Sequence, residues 1–152
     1  MTQDPAILGY LGRALSFELS AVQQYLSLSR LLELRGMTQA GEKFRHEAQE
    51  EMQHAERIIG RMLALGVAPN ASSLRPVRLN GSLPQLMQHA TDLETEIVNF
   101  YAQAVHYCNR TQDHENRIFF EMLLHEEQQH ATGIDTWRRE ILASQTASLS
   151  NE

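Results

Sequence analysis

An all-α fold, a four-helix bundle with one long crossover loop, is what the sequence predicts, and three observations predict it. Apolar residues recur at alternating steps of three and four along four long segments. Two of the three connections are short, whereas the central one is long and carries two prolines. No segment alternates apolar and polar residues with the period of a strand.

The first helix is expected over about residues 5–35. Asp4-Pro5 supplies an N-cap followed by proline at the first helical position. Its stripe runs Leu11, Leu15, Glu18, Val22, Tyr25, Ser29, Leu32, and Gly36 supplies the stop. Thr38 reads as the N-cap of a second helix reaching Gly66. Residues Val67 to Gly81 carry Pro69 and Pro76 and no period, so they read as the crossover. Ser82 and Gln85 form a capping box for a third helix, 83–111, with the stripe Leu86, Ala90, Glu94, Val98, Tyr101, Val105, Cys108. A turn at Thr111–Asp113 leads into the fourth, 113–142, with Phe120, Leu123, Glu127, His130, Ile134, Trp137 and Ile141. The tail 143–152 is small and polar and is expected to fray.

Composition narrows the function. The 152 residues suffice for one domain, read as spanning 1–152, with a core that needs no staples. The lone cysteine, Cys108, excludes an internal disulfide, a cysteine-based zinc site and a rubredoxin-type iron centre. Nineteen acids against thirteen bases give a net charge of −6, the wrong sign for general nucleic-acid binding, and Lys43 is the only lysine. No apolar run approaches a membrane span, and the polar start does not read as a signal peptide. A soluble, cytoplasmic chain is the expectation, with no nucleic-acid or membrane partner.

The inward stripes hold acids where leucines belong. Glu18 and Glu94 stand mid-helix, and the second and fourth helices each carry Glu-x-x-His, as Glu51–His54 and Glu127–His130. Glu18 to Glu51 spans 33 residues, as does Glu94 to Glu127, so the halves are offset by 76. The same offset maps Tyr25 onto Tyr101 and Glu50 onto Glu126. Positions 18 and 54 are equidistant from Gly36, and 94 and 130 from residue 112. Each hairpin therefore carries its Glu and its Glu-x-x-His to one depth, about 27 Å from the turn at 1.5 Å per residue. Residues three apart share a helical face, so six ligands converge midway along the bundle. Four carboxylates cannot all ionise in an apolar core without compensation, which two divalent cations supply. Mixed carboxylate and imidazole donors suit iron or manganese, and this donor pattern is that of the di-iron carboxylate bundles.

With Phe17-Glu-Leu-Ser-Ala-Val-Gln-Gln-Tyr25, Glu50-Glu-Met-Gln-His-Ala-Glu56, Glu94 and Glu126-Glu-Gln-Gln-His-Ala131, the chain resembles the bacterioferritins over about residues 5–141. The resemblance implies a ferritin-like bundle with Glu18, Glu51, His54, Glu94, Glu127 and His130 as ligands of two iron ions. It further implies bridging roles for Glu51 and Glu127 and a redox-active Tyr25. The implied activity is a ferroxidase that oxidises Fe(II) with O₂ or H₂O₂ and stores Fe(III) mineral inside a homo-oligomeric shell of 24 subunits. Met52 follows Glu51 directly, so it is turned about 100° from the metal-facing stripe, toward the bundle's outer surface. In the family a methionine at this place ligates haem b shared between two subunits. The resemblance also suggests an inner-surface iron site at His46 and Glu50, where the family usually has aspartate in place of Glu50. The tail departs from the family, offering only Leu142 and Leu149 and no stripe, so the fifth helix is expected to be absent or short. The competing reading is a non-storage di-iron or di-manganese peroxidase or oxygenase of the rubrerythrin-related group. A DNA-protecting miniferritin is disfavoured, since six ligands converge within one chain and no basic tail is present.

Overall fold

The computed structural model describes residues 4–70 and 73–150, the side chains of Ser148 and Leu149 excepted. Four helices make up the described part: α1 (Pro5–Leu34), α2 (Thr38–Ala64), α3 (Leu83–Thr111) and α4 (His114–Ser150). α1 packs on α2 and α3 on α4 as two hairpins, and α1 meets α3 across the bundle.

The helix ends follow local chemistry. Asp4 accepts a hydrogen bond from the Ala6 N–H at 2.9 Å, a cap worth about 1 kcal/mol. Gly36, at φ +79°, turns the chain out of α1. The expected cap at Thr38 is corrected: Met37 holds the cap position without a side-chain bond, and Thr38 is the first helical residue. There α2 starts so close to α1 that a Cβ on Gly41 would lie 2.9 Å from the Ser29 carbonyl oxygen. The Ser82 N–H donates to Gln85 Oε1 at 2.7 Å, one arm of the capping box. Gln112 turns the second hairpin with φ +58°, and Asp113 then accepts from the Asn116 N–H at 3.2 Å to open α4.

The crossover is fastened to α1 and α3 by polar side chains. Ser20 Oγ accepts from the Arg75 N–H at 3.0 Å, and Gln24 exchanges two bonds with the Arg78 backbone at 2.9 and 2.8 Å. His89 meets the Asn80 carbonyl at 3.1 Å. Buried Ser20 and Gln24 on α1 are thereby satisfied by the loop that crosses them.

Two expectations about the outer parts of the helices need correction. In α3 the neighbouring Ile97 and Ala104 are buried, while Val98 and Val105 are only half-buried. The stripe drifts because 3.6 residues per turn falls between the three- and four-residue steps. Past the expected end at residue 142, α4 continues through Ser150 with no separate fifth helix among the described residues. No glycine or proline interrupts Leu142–Ser150, and Thr146 and Ser150 hydroxyls donate back to the Leu142 and Ala147 carbonyls at 3.0 and 2.9 Å. The Leu149 side chain lies outside the described part.

The core brackets the centre of the bundle from both ends. Ile7, Leu11, Tyr101, Cys108 and Phe120 fill one end, and Tyr25, Leu28, Leu32 and Phe44 the other. Each such side chain contributes about 1.5–3 kcal/mol of burial. Between them lies a layer of carboxylates.

Candidate metal centre

Glu18 on α1, Glu51 on α2, Glu94 on α3 and Glu127 on α4 are all 0 % exposed. His54 follows Glu51 by three residues and His130 follows Glu127 by three, so each imidazole lies beside its own glutamate. Their ligand atoms gather into two tetrads, Glu18–Glu51–His54–Glu127 and Glu51–Glu94–Glu127–His130, each within 4.8 Å. Glu51 and Glu127 belong to both. The six residues picked out in the sequence thus come together in one place.

The hydrogen bonds cross between the hairpins. His54 Nδ1 stands 2.7 Å from Glu127 Oε1, and His130 Nδ1 stands 2.7 Å from Glu51 Oε1. The two rings stack with centroids 5.4 Å apart and an interplanar angle of 9°. The outer nitrogens face a second pair of acids: His54 Nε2 lies 3.2 Å from Glu126, and His130 Nε2 contacts Glu50. Nδ1 is therefore the nitrogen each histidine presents to the buried glutamates. Tyr25 donates to Glu94 Oε1 at 2.5 Å, and Tyr101 donates to Glu18 Oε1 at 2.7 Å.

In the absence of cations, protons carry the compensation. Burial, together with the charge of Glu18, pushes Glu51 and Glu127 up to about 8. Glu94 is raised well above the carboxylate range by burial and by Glu127. Glu18 goes the other way, to about 2, because the nearby Glu51 and His54 outweigh its burial. Burial disfavours charge on the histidines, yet the carboxylates overcome it. His130 is raised to about 11 by Glu127 and Glu51, and His54 is raised further by Glu127, Glu18 and Glu51. Each glutamate still keeps one buried oxygen without a hydrogen-bond partner: Glu18 Oε2, Glu51 Oε2, Glu94 Oε2 and Glu127 Oε2. Orphaned carboxylate oxygens in a dry core are costly unless a cation meets them.

Two other predicted residues lie outside the tetrads. Met52 is 41 % exposed on an outer face of α2, beside exposed Leu26, in a depression of about 290 Å³ lined also by Val22, Arg45 and Ala48. His46 Nε2 lies 2.9 Å from Glu50 Oε1. His46 itself joins no metal-capable group among the described residues; that third group is Glu47, Glu50 and His130. The contacts of Tyr101, Glu126 and Glu47 go beyond the sequence reading. The 76-residue offset pairs Tyr101 with Tyr25 and Glu126 with Glu50, and Glu47 stands one helical turn before Glu51; these spacings are the signals in the sequence.

Comparison with known proteins agrees with this geometry. Residues 8–142 match the family model described as a ferritin-like domain. The chain is 32% identical over 132 residues to the bacterial ferritin of Synechocystis sp., covering 86% of this chain and 85% of that one. It is 32% identical over 136 residues to the bacterioferritin of Rhodobacter capsulatus, covering 90% and 84%. The solved structure of the Rhodobacter capsulatus bacterioferritin, described with a metal-free dinuclear site and haem iron, superposes with a TM-score of 0.84 over 90% of this chain and 85% of that one. With its buried Glu/His centre and these relatives, the chain belongs to the ferritin-like family and, within it, to the bacterioferritins.

Proposed function

We propose that the two tetrads are the two metal positions of a ferroxidase centre, and that the protein oxidises Fe(II) with O₂ or H₂O₂ and stores Fe(III) as mineral. The observation that carries this reading is the set of four buried, unpartnered carboxylate oxygens in the shared cluster. Glu51 and Glu127 would be shared by both positions, with Glu18 and His54 holding one metal and Glu94 and His130 the other. Two Fe(II) ions bring four positive charges to four carboxylates, so loading displaces the protons that Glu51, Glu94, Glu127 and both histidines hold in the metal-free chain. Tyr25 orients Glu94 through its hydrogen bond and is the redox-active tyrosine. Glu50, with His46 on one side and His130 on the other, serves as a secondary iron site between the centre and the surface.

Anaerobic Fe(II) titration followed by stopped-flow oxidation tests this assignment. Two Fe(II) per chain should bind and oxidise rapidly. A Glu94→Ala/His130→Ala variant that oxidised Fe(II) at the parent rate would overturn it.

The Met52 depression fits one half of a haem site. It is apolar, it carries a thioether, and Arg45 at its edge suits a haem carboxylate. A two-fold contact through this face would let Met52 from each partner hold the haem. Haem bound there would supply a redox centre shared by two subunits. The same reading makes the protein a homo-oligomer whose dimer assembles into a 24-subunit cage in the cytoplasm. No described helix is long and apolar enough to cross a membrane. Light scattering of the intact protein should show the cage; dimers alone at micromolar concentration would sink it.

A further inference from the structure

The chain repeats the phenol behind its metal centre as faithfully as the ligands. Tyr101 is fully buried and its hydroxyl donates to Glu18 Oε1 at 2.7 Å, just as the Tyr25 hydroxyl donates to Glu94 Oε1 at 2.5 Å. Glu18 and Glu94 belong to different tetrads, so one phenol stands one hydrogen bond behind each metal position. The rings behind the phenols repeat too. Phe44 packs 5.9 Å from Tyr25 and Phe120 packs 6.4 Å from Tyr101, measured between centroids, and Phe44 and Phe120 are themselves 76 residues apart. Both phenols are shielded from water by aromatic rings and share the same kind of proton acceptor.

We propose that Tyr101 is a second redox-active tyrosine, which gives one electron to the reaction at the Glu18 side as Tyr25 does at the Glu94 side. The proposal rests on the ferroxidase reading above, with O₂ as oxidant. Reducing O₂ to two waters takes four electrons and four protons. Two Fe(II) supply two electrons and become two Fe(III). Tyr25 and Tyr101 supply the other two, each losing one electron from its ring and one proton along its hydrogen bond to Glu94 or Glu18. Solvent supplies the remaining two protons. The products are two Fe(III), two neutral phenoxyl radicals and two waters, so the first turnover releases no peroxide. With neither phenol, the two electrons of the iron pair carry O₂ only as far as H₂O₂.

The test compares the parent with Tyr25→Phe, Tyr101→Phe and the double variant. Each is loaded anaerobically with two Fe(II) per chain, mixed with O₂ and frozen within one turnover. Phenoxyl radical is measured by electron paramagnetic resonance, and free H₂O₂ is measured in parallel. Each single variant should keep roughly half of the parent radical. The double variant should lose the signal and release one H₂O₂ per two Fe(II). If Tyr101→Phe matched the parent in both radical and peroxide, or Tyr25→Phe alone removed the whole signal, Tyr101 would be only a hydrogen-bond donor to Glu18. To keep that hydroxyl in place, 3-fluorotyrosine is incorporated at position 101 of the Tyr25→Phe variant. Fluorine splitting of the remaining signal is expected, and an unsplit signal overturns the proposal. A parent that oxidises Fe(II) without any radical overturns it too, while a parent that does not oxidise Fe(II) overturns the ferroxidase reading and this one with it.

Discussion

In the α1–α2 hairpin, Glu47 and Glu50 stand beside the buried Glu51, and Met52 and Arg57 follow on the outer faces; at the matching positions of α3–α4 stand Leu123, Glu126, Gln128 and Gly133. The interior is the same in both halves: glutamate, tyrosine, Glu-x-x-His and phenylalanine recur at the 76-residue offset. The surroundings differ. Arg57 pairs with Glu126, and despite partial burial this holds the Glu126 carboxyl below the usual range. Glu50 has Gly133 at the place symmetric to Arg57, and meets His130 and His46 instead. Burial raises Glu47, whose neighbour Glu50 adds to the effect, and the cavity beside it, about 600 Å³, is lined by Glu42, His46, Gly133 and Trp137. Coordination geometry constrains what faces the metals, so the two interiors match. Outside the cluster no such geometry is shared, and one outer acid meets an arginine where the other meets two histidines.

If the halves are equivalent at the metals, removing the matched terminal ligands should have matched effects. Glu18→Ala and Glu94→Ala should each slow rapid Fe(II) oxidation by on the order of 100-fold or more. Both should retain the helical circular-dichroism signal. A loss confined to one of them would break the symmetry of the centre.

The outer faces should behave oppositely. Met52→Leu keeps the packing volume but removes the sulfur, and should abolish the haem absorbance band while sparing Fe(II) oxidation. The matched Gln128→Leu should leave haem content unchanged. Haem retained at one per dimer in Met52→Leu would refute the assignment.

Without metal, the buried acids make stability depend on pH with a definite sign. Glu51 and Glu127 titrate at about 8 in the folded chain against 4.5 as a reference, so the folded state holds the extra protons between those values. Their contribution is fully present below about pH 4.5 and is lost as pH rises through 8. His130, raised from 6.5 to about 11, adds a contribution lost over that higher range. Glu18, lowered to about 2, contributes above about pH 4.5 and loses that contribution as pH falls through 2. The melting temperature of the metal-free protein should therefore fall by several degrees between pH 5 and 9. Redox-inert Zn(II) should reverse the trend, because it replaces the protons. Scanning calorimetry with and without Zn(II) measures both slopes, and a metal-free melting temperature that rose over this range would contradict the protonated centre.

The smallest difference lies in the turns. Gly36 adopts φ +79° without strain, whereas Gln112 adopts φ +58° with a side chain. Gln112→Gly should leave the fold unchanged and relieve about 1 kcal/mol of left-handed strain, offset in part by the extra freedom of the unfolded chain. Denaturant unfolding checks the sign.

Periodicity, caps and breakers are local, which is why the four helices, the Gly36 turn and the crossover are legible in the chain. The paired spacings of 33 and 76 residues, with Glu-x-x-His on one helical face, likewise determine the depth at which six donors meet. Two local readings were incomplete: Thr38 does not cap, and the small polar residues after Leu142 extend α4 because nothing there breaks a helix. What only the tertiary structure decided is how groups on different helices meet. It set Nδ1 of each histidine against the glutamate of the other hairpin that both tetrads share. It paired Tyr25 with Glu94 across 69 positions and Tyr101 with Glu18 across 83. It also lowered the Glu18 carboxyl while it raised Glu94, identical in residue type and place in the repeat. Protonation and hydrogen-bond partners depend on distance and burial in space, and no periodicity along one helix encodes those.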